Sequence, residues 1–63
     1  MLSPEDAITI GKLVAQKQLD LFYDQEQITI DLEGYILIFH VNQGKIHKVE
    51  CREPSGKIGF KKV

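Results

Sequence analysis

The strongest restriction on this chain is that its 63 residues, with a single cysteine, must fold without an internal disulfide. A chain of this length buries only about 60% of the surface that its unfolded form exposes. Domains this small are usually supported by disulfides, a structural metal or self-association. Cys51 has no partner within the chain, and the sequence contains no metal-ligand motif. We therefore expect one domain, spanning residues 1–63, that forms a homodimer or a larger oligomer.

Composition and charge exclude several classes of protein. Hydrophobic residues make up 43% of the chain and charged residues 27%, which is typical of a folded globule rather than a disordered segment. The net charge of -1 gives the whole molecule no long-range attraction to nucleic acid or anionic lipid. The N-terminus lacks the order of a signal peptide, and the longest apolar run, residues 35–39, is far shorter than a membrane span. We expect a cytoplasmic protein.

The first third of the chain predicts an amphipathic helix that ends near Leu21. Ser3 is a good N-cap, Pro4 suits the first helical position, and the two acids that follow complement the helix dipole. The apolar residues form two neighbouring stripes, the first of Ala7, Ile10, Val14 and Leu21 and the second of Ile8, Ala15, Leu19 and Phe22. Together they offer more apolar surface than contact with one sheet requires.

The remaining chain predicts an antiparallel meander. Residues 28–33 alternate apolar and polar side chains, residues 35–41 are apolar at nearly every position, and residues 45–53 form a third strand. Glycines mark the turns at Glu33-Gly34 and at residues 42–44. Whether residues 57–63 add a short edge strand is left open. The predicted fold is α+β, with an N-terminal helix packed on a three- to four-stranded antiparallel β-meander.

The hydrophobic pattern also predicts the strand registers, because the helix-facing side must be apolar. A two-residue first turn predicts the pairs Leu32–Tyr35, Ile30–Leu37 and Ile28–Phe39. A three-residue second loop predicts the pairs Phe39–His47, Leu37–Val49 and Tyr35–Cys51. The alternative two-residue turn at Gln43-Gly44 sends Lys48 and Glu50 to the helix-facing side, so we prefer the three-residue loop.

The opposite face of this predicted sheet carries a patch that the single helix cannot cover. It consists of Ile36, Ile38, His40 and Ile46. Such an apolar patch is unusual on a monomer, so we predict that these four residues form the dimer interface. One alternative is that the surplus second stripe of the helix meets the symmetry mate instead. The other is that Ile58 and Phe60 fold back over the patch within one chain.

Residue types that carry chemistry give no convincing site. His47 and Cys51 are four residues apart, but in the preferred register His40 points to the opposite face from His47, and a metal needs more ligands. The same histidine and cysteine lack the third residue and the oxyanion donors of a nucleophilic site. We expect no metal, no cofactor and no enzymatic activity.

The C-terminal third is basic and supports a second hypothesis. Its six basic residues oppose only two acids, whereas residues 1–44 carry two lysines and seven acids. Basic sheet surfaces with aromatic side chains bind single-stranded nucleic acid through phosphate charge and base stacking. The candidate contacts are Lys48, Arg52, Lys57, Lys61 and Lys62. Lysines on a sheet edge also prevent aggregation, which is an equally good explanation of the same residues.

Residues 34–50 read GYILIFHVNQGKIHKVE and resemble the strand–turn–strand core of the YezD-like family of small uncharacterised bacterial proteins. The resemblance implies a compact helix-plus-hairpin protein and transfers no functional residue. With the patch described above, it leads us to expect a small homodimeric interaction or accessory module of a bacterial cytoplasm. The alternative is a small nucleic-acid-binding protein, a transcriptional accessory that uses the basic C-terminal third.

Overall fold

A computed structural model describes residues 2–63 and confirms the predicted α+β architecture. One helix packs on one face of a four-stranded antiparallel sheet with strand order β1-β2-β3-β4. The elements are α1 (Pro4–Leu21), β1 (Gln27–Leu32), β2 (Tyr35–Asn42), β3 (Lys45–Arg52) and β4 (Ile58–Lys62). The question of a fourth strand is thereby answered, since β4 pairs with β3 along its whole length.

Helix α1 begins where the capping residues predicted. The backbone N–H of Asp6 donates to Ser3 Oγ at 3.2 Å, and Pro4 occupies the first turn. The helix closes at its other end with a 2.8 Å hydrogen bond from the N–H of Phe22 to the carbonyl of Gln18.

The buried face of α1 differs from both predicted stripes. Its fully buried residues recur at every fourth position and are Ala7, Gly11, Ala15 and Leu19. Three of these are small, so the helix backbone lies close to the sheet, and a Cβ on Gly11 would overlap Cδ1 of Leu37. Ile10 and Val14, assigned to the first stripe, are each 40% exposed. Close approach by small residues therefore decided the orientation of the helix.

The predicted register of the first hairpin is confirmed. Ile28 lies opposite Phe39, and Leu32 lies opposite Tyr35. Glu33 and Gly34 occupy the turn with φ angles of 50° and 87°, the left-handed values that a type I′ turn needs. The alternating residues of β1 and β2 therefore face α1 as expected.

The predicted register of the second hairpin is wrong, because the loop is a two-residue turn followed by a bulge. Gln43 and Gly44 have φ angles of 52° and 76°, which again fit a type I′ turn. The register shifts beyond Val41↔Ile46, so that His47 is an extra residue in β3. The pairs past the bulge are His40↔Lys48, Phe39↔Val49 and Leu37↔Cys51. The bulge keeps the charged side chains of β3 off the helix-facing side of the sheet. A two-residue turn without a bulge would have placed them on that side.

The core lies between α1 and the sheet. Its largest fully buried side chains are Phe39, Leu37 and Val49. At one end, the Tyr35 hydroxyl donates to the carbonyl of Leu2 at 2.8 Å and fixes the segment before the helix. The core is thus filled from one side of the sheet only.

Candidate interaction surface

The face of the sheet that points away from α1 is the most distinctive surface of the molecule, and we call it the open face. Among residues 2–63 there is one helix, and it contacts β1, β2 and β3 from the other side. The strand registers place on the open face Gln27, Thr29, Asp31, Ile36, Ile38, His40, Lys48, Glu50, Arg52, Ile58, Phe60 and Lys62.

Apolar side chains occupy two adjacent rows across the open face. In one row Ile36 and Ile58 flank Arg52, and in the next Ile38 and Phe60 flank Glu50. The isoleucines of β2 are half-buried by their neighbours, whereas Ile58 and Phe60 are 53% and 65% exposed. The sequence offered Ile58 and Phe60 as a cover for the patch. That alternative is wrong, because β4 extends the sheet and adds both residues to the exposed patch.

The charged groups on the open face are partly neutralised by their neighbours. Arg52 Nε lies 2.6 Å from Glu50 Oε2, and this ion pair joins the middle of one row to the middle of the next along β3. The Lys48 ammonium lies 5.7 Å from the centre of the Phe60 ring, within cation–π range. The long stems of such side chains add apolar area of their own. The middle of the open face is therefore less polar than its sequence implies.

Three of the four predicted interface residues lie on the open face. Ile36, Ile38 and His40 project from β2 as expected. The assignment of Ile46 is wrong, because it pairs with Val41 before the bulge and packs against the helix-side core. Ile58 and Phe60 replace it. Alternation within residues 58–62 was the available signal, but the sequence alone did not determine whether this segment joins the sheet.

The five predicted nucleic-acid contacts are divided between different surfaces. Lys48, Arg52 and Lys62 share the open face. Lys61 pairs with Val49 and projects toward the helix side, beside the open cleft between α1 and β4. Lys57 precedes β4, where its carbonyl accepts a 2.8 Å hydrogen bond from the N–H of Glu53. A continuous basic surface would therefore include only the first three.

The candidate chemical residues are also separated. The ring centres of His40 and His47 are 6.5 Å apart. Two histidine side chains on opposite faces of the sheet, as predicted, would lie farther apart. The rings are closer because His47 is the extra residue of the bulge. Cys51 is 6% exposed in the helix-side core, and desolvation by burial, followed by the charges of Glu53 and Glu5, raises the pKa of its thiol. This thiol is held protonated, the opposite of an activated nucleophile. Among residues 2–63, no three histidine, cysteine or acidic side chains are placed to hold a metal ion.

The helix presents a second exposed apolar surface, as its surplus apolar residues predicted. Leu13 is 66% exposed and Leu21 is 74% exposed, and beyond the helix end Phe22 and Tyr23 are also exposed. These side chains follow the helix and its C-terminal turn rather than one flat surface. They form a less continuous surface than the rows of the sheet.

The comparisons with known proteins assign no family. Neither a protein-family model, nor a curated protein, nor a solved structure matches this chain. Within residues 2–63, no helix combines the length and the apolar character that crossing a membrane requires. The functional conclusion therefore depends on the open face.

Proposed function

We propose that this chain is a small homodimeric interaction or accessory module without catalytic activity, and that the open face is the contact between its two copies. The observation that carries the proposal is the pair of apolar rows, Ile36 with Ile58 and Ile38 with Phe60, on a face that α1 does not cover. Antiparallel sheets commonly bury one face and expose the other to water, and the exposed face normally carries polar residues. Here both faces of β2 are apolar.

A two-fold contact would pair the same patch on both copies, as isologous dimers do.

The test is a pair of matched substitutions, Ile38→Thr and Ile46→Thr. Both residues are half-buried isoleucines of adjacent strands, but Ile38 is on the open face and Ile46 faces the core. Burying an isoleucine contributes about 1.5–3 kcal/mol, and about half of that remains available at Ile38. Because the residue occurs twice in a two-fold dimer, Ile38→Thr should weaken dimerisation by about 2 kcal/mol, or roughly thirtyfold.

Sedimentation equilibrium at micromolar concentration measures the result. We expect the wild type and Ile46→Thr to dimerise alike, although Ile46→Thr is less stable to urea, and Ile38→Thr to shift toward monomer. A wild type that stays monomeric at these concentrations would refute the proposed dimer. Equal dimerisation of all three proteins would show that the open face is not the contact between the two copies.

A second candidate function, single-stranded nucleic-acid binding, is favoured by the exposed Phe60 ring with Lys48 beside it. Arg52 and Lys62 lie on the same face, so an aromatic platform is flanked by three cations. Stacking of a base on an aromatic side chain contributes about 1–3 kcal/mol and tolerates any sequence. Nucleic acid and a second copy would compete for this face.

Fluorescence anisotropy with labelled single-stranded oligonucleotides tests this candidate. Three phosphate contacts predict that the logarithm of affinity falls with the logarithm of salt concentration with a slope of about -2. Phe60→Leu should weaken binding about tenfold or more by removing the stacking ring. Lys57→Ala, which removes a cation outside the open face, serves as the control. Absence of binding at about 50 mM salt would exclude this function.

A further inference from the structure

The sheet ends in two free edges that are similar in length. Within residues 2–63, β1, with six residues, has β2 as its only sheet neighbour, and β4, with five residues, has only β3. Because the meander contains four strands, its first and last strands run in opposite directions. A second copy placed edge to edge in the same orientation would therefore continue the antiparallel alternation.

The backbone groups that such a pairing would use can be read from the existing ladders. The N–H of Val41 donates to the carbonyl of Glu26, so Glu26 and Val41 form a hydrogen-bonded pair. Such pairs alternate with non-hydrogen-bonded pairs along an antiparallel ladder, and Thr29 and Ile38 form a pair of the second kind. The N–H and C=O of Thr29 therefore point to the free edge of β1. In the same way, Val63 donates to the carbonyl of His47, so Phe60 points its backbone groups to the free edge of β4. Both edges thus present backbone donors and acceptors at their centres.

The two edges carry opposite charge. Residues 24–33, which contain β1, include four acids and no basic residue. Residues 54–63, which contain β4, include three lysines and no acid. The acidic and basic segments of the sequence therefore lie at opposite edges of the sheet. Like charges oppose the pairing of two β1 edges or of two β4 edges, whereas opposite charges favour the pairing of β1 with β4.

We propose that β1 of one copy pairs with β4 of a second copy, head to tail, through backbone hydrogen bonds and charge complementarity. This contact lies beyond the proposed dimer, because it uses the edges of the sheet rather than the open face. It is a heterologous contact, which forms a ring where the rotation between copies closes and an open chain where it does not. Screening by salt should weaken it, whereas the apolar open-face contact should be insensitive to salt.

Two proline substitutions that each block one edge provide the test. Thr29→Pro and Phe60→Pro each remove one outward N–H while leaving the ladder to the neighbouring strand intact. Both are made together with Ile38→Thr, so that the open-face contact is weakened in every sample. The parent Ile38→Thr protein should self-associate at about 50 mM salt, with a dissociation constant that rises on the order of tenfold at about 500 mM.

Sedimentation of the separate and mixed proteins distinguishes the outcomes. Neither blocked variant should self-associate, but an equimolar mixture should form a complex, because the free β4 of one meets the free β1 of the other. A mixture that stays monomeric while both proteins give folded amide spectra would overturn the proposal. So would a blocked variant that assembles as well as its parent. The dimer through the open face is judged separately, from the wild type and Ile38→Thr at about 500 mM salt, where the edge contact is screened.

Charge reversal provides a second test if proline unfolds either edge. In the Ile38→Thr protein, Glu26→Lys with Asp31→Lys removes the net negative charge of residues 24–33, and Lys61→Glu with Lys62→Glu makes residues 54–63 net acidic. Each should lose self-association, and the mixture should regain it, because the unchanged β4 of the first variant meets the unchanged β1 of the second. The matched control for Lys61→Glu with Lys62→Glu is Lys12→Glu with Lys45→Glu, which changes the net charge by the same amount on α1 and at the second turn. Equal loss in the control, or no recovery in the mixture, would refute edge pairing.

Discussion

Replacement of Gly11 by alanine should destabilise the protein, although alanine is the better helix former. Within a helix, the change from glycine to alanine is worth about 0.8–1 kcal/mol in favour of folding. At this position the new Cβ would overlap Cδ1 of Leu37 and lie 3.4 Å from the Phe39 ring. Both of those side chains are completely buried, so neither can move into solvent.

The size of the effect follows from these opposing terms. Overpacking a close-packed core costs about 1–3 kcal/mol, so the net loss should be about 1 kcal/mol. In a domain of this size that corresponds to a fall in Tm of about 4–8 °C. Urea denaturation at a fixed protein concentration measures the free energy directly and avoids differences in self-association. The control is Gly59→Ala in β4, where an added Cβ would meet no atom within 4 Å.

A double-mutant cycle then tests the cause. Leu37→Val removes the methyl group that the new Cβ would strike, at the cost of a cavity of its own. If overlap is responsible, the loss in free energy of unfolding in the double variant should be smaller than the sum of the losses in the two single variants, by about 0.5 kcal/mol or more. A Gly11→Ala protein as stable as the wild type, or more stable, would refute the close approach of α1 to the sheet.

Three further predictions concern single interactions. Ser3→Ala removes the side chain that caps α1 and should lower the free energy of unfolding by about 1 kcal/mol in urea, whereas Ser3→Asp should preserve it. Tyr35→Phe removes the hydrogen bond to Leu2 and should cost about 1 kcal/mol by the same assay; an unchanged midpoint would mean that the bond contributes nothing. Burial raises the pKa of Cys51 above its ordinary value of 9.0, so the unfolded thiol loses its proton first and stability should fall as the pH rises past that value. The fall should be shallower in Cys51→Ala, and an identical pH profile in the two proteins would contradict this assignment.

The open face was predicted in type but not in all of its members. The excess of apolar residues on β2 indicated an exposed patch, and Ile36, Ile38 and His40 lie on it. Ile46 does not, because it lies before the extra residue of β3 and pairs with Val41, which faces α1. The pattern of apolar residues fits a bulged two-residue turn as well as a three-residue loop, so periodicity could not distinguish them.

The elements that could be predicted from the sequence are those that depend on near neighbours along the chain. Ser3 and Pro4 place the start of the helix, and Glu33-Gly34 sets the first hairpin. Strict alternation assigns the faces of β1, and the register of that hairpin carries the assignment to β2. Each of these features arises from contacts within a few residues along the chain. Their energies therefore do not depend on the rest of the fold.

Contacts between distant parts of the chain set which helix face is buried, how β3 aligns past His47 and where β4 lies. The small side chain of Gly11 matters because Leu37 lies against it, and that contact joins parts of the chain far apart in sequence. Burial is a property of the assembled layers: the same isoleucine is core when α1 covers it and exposed when it projects from the other side.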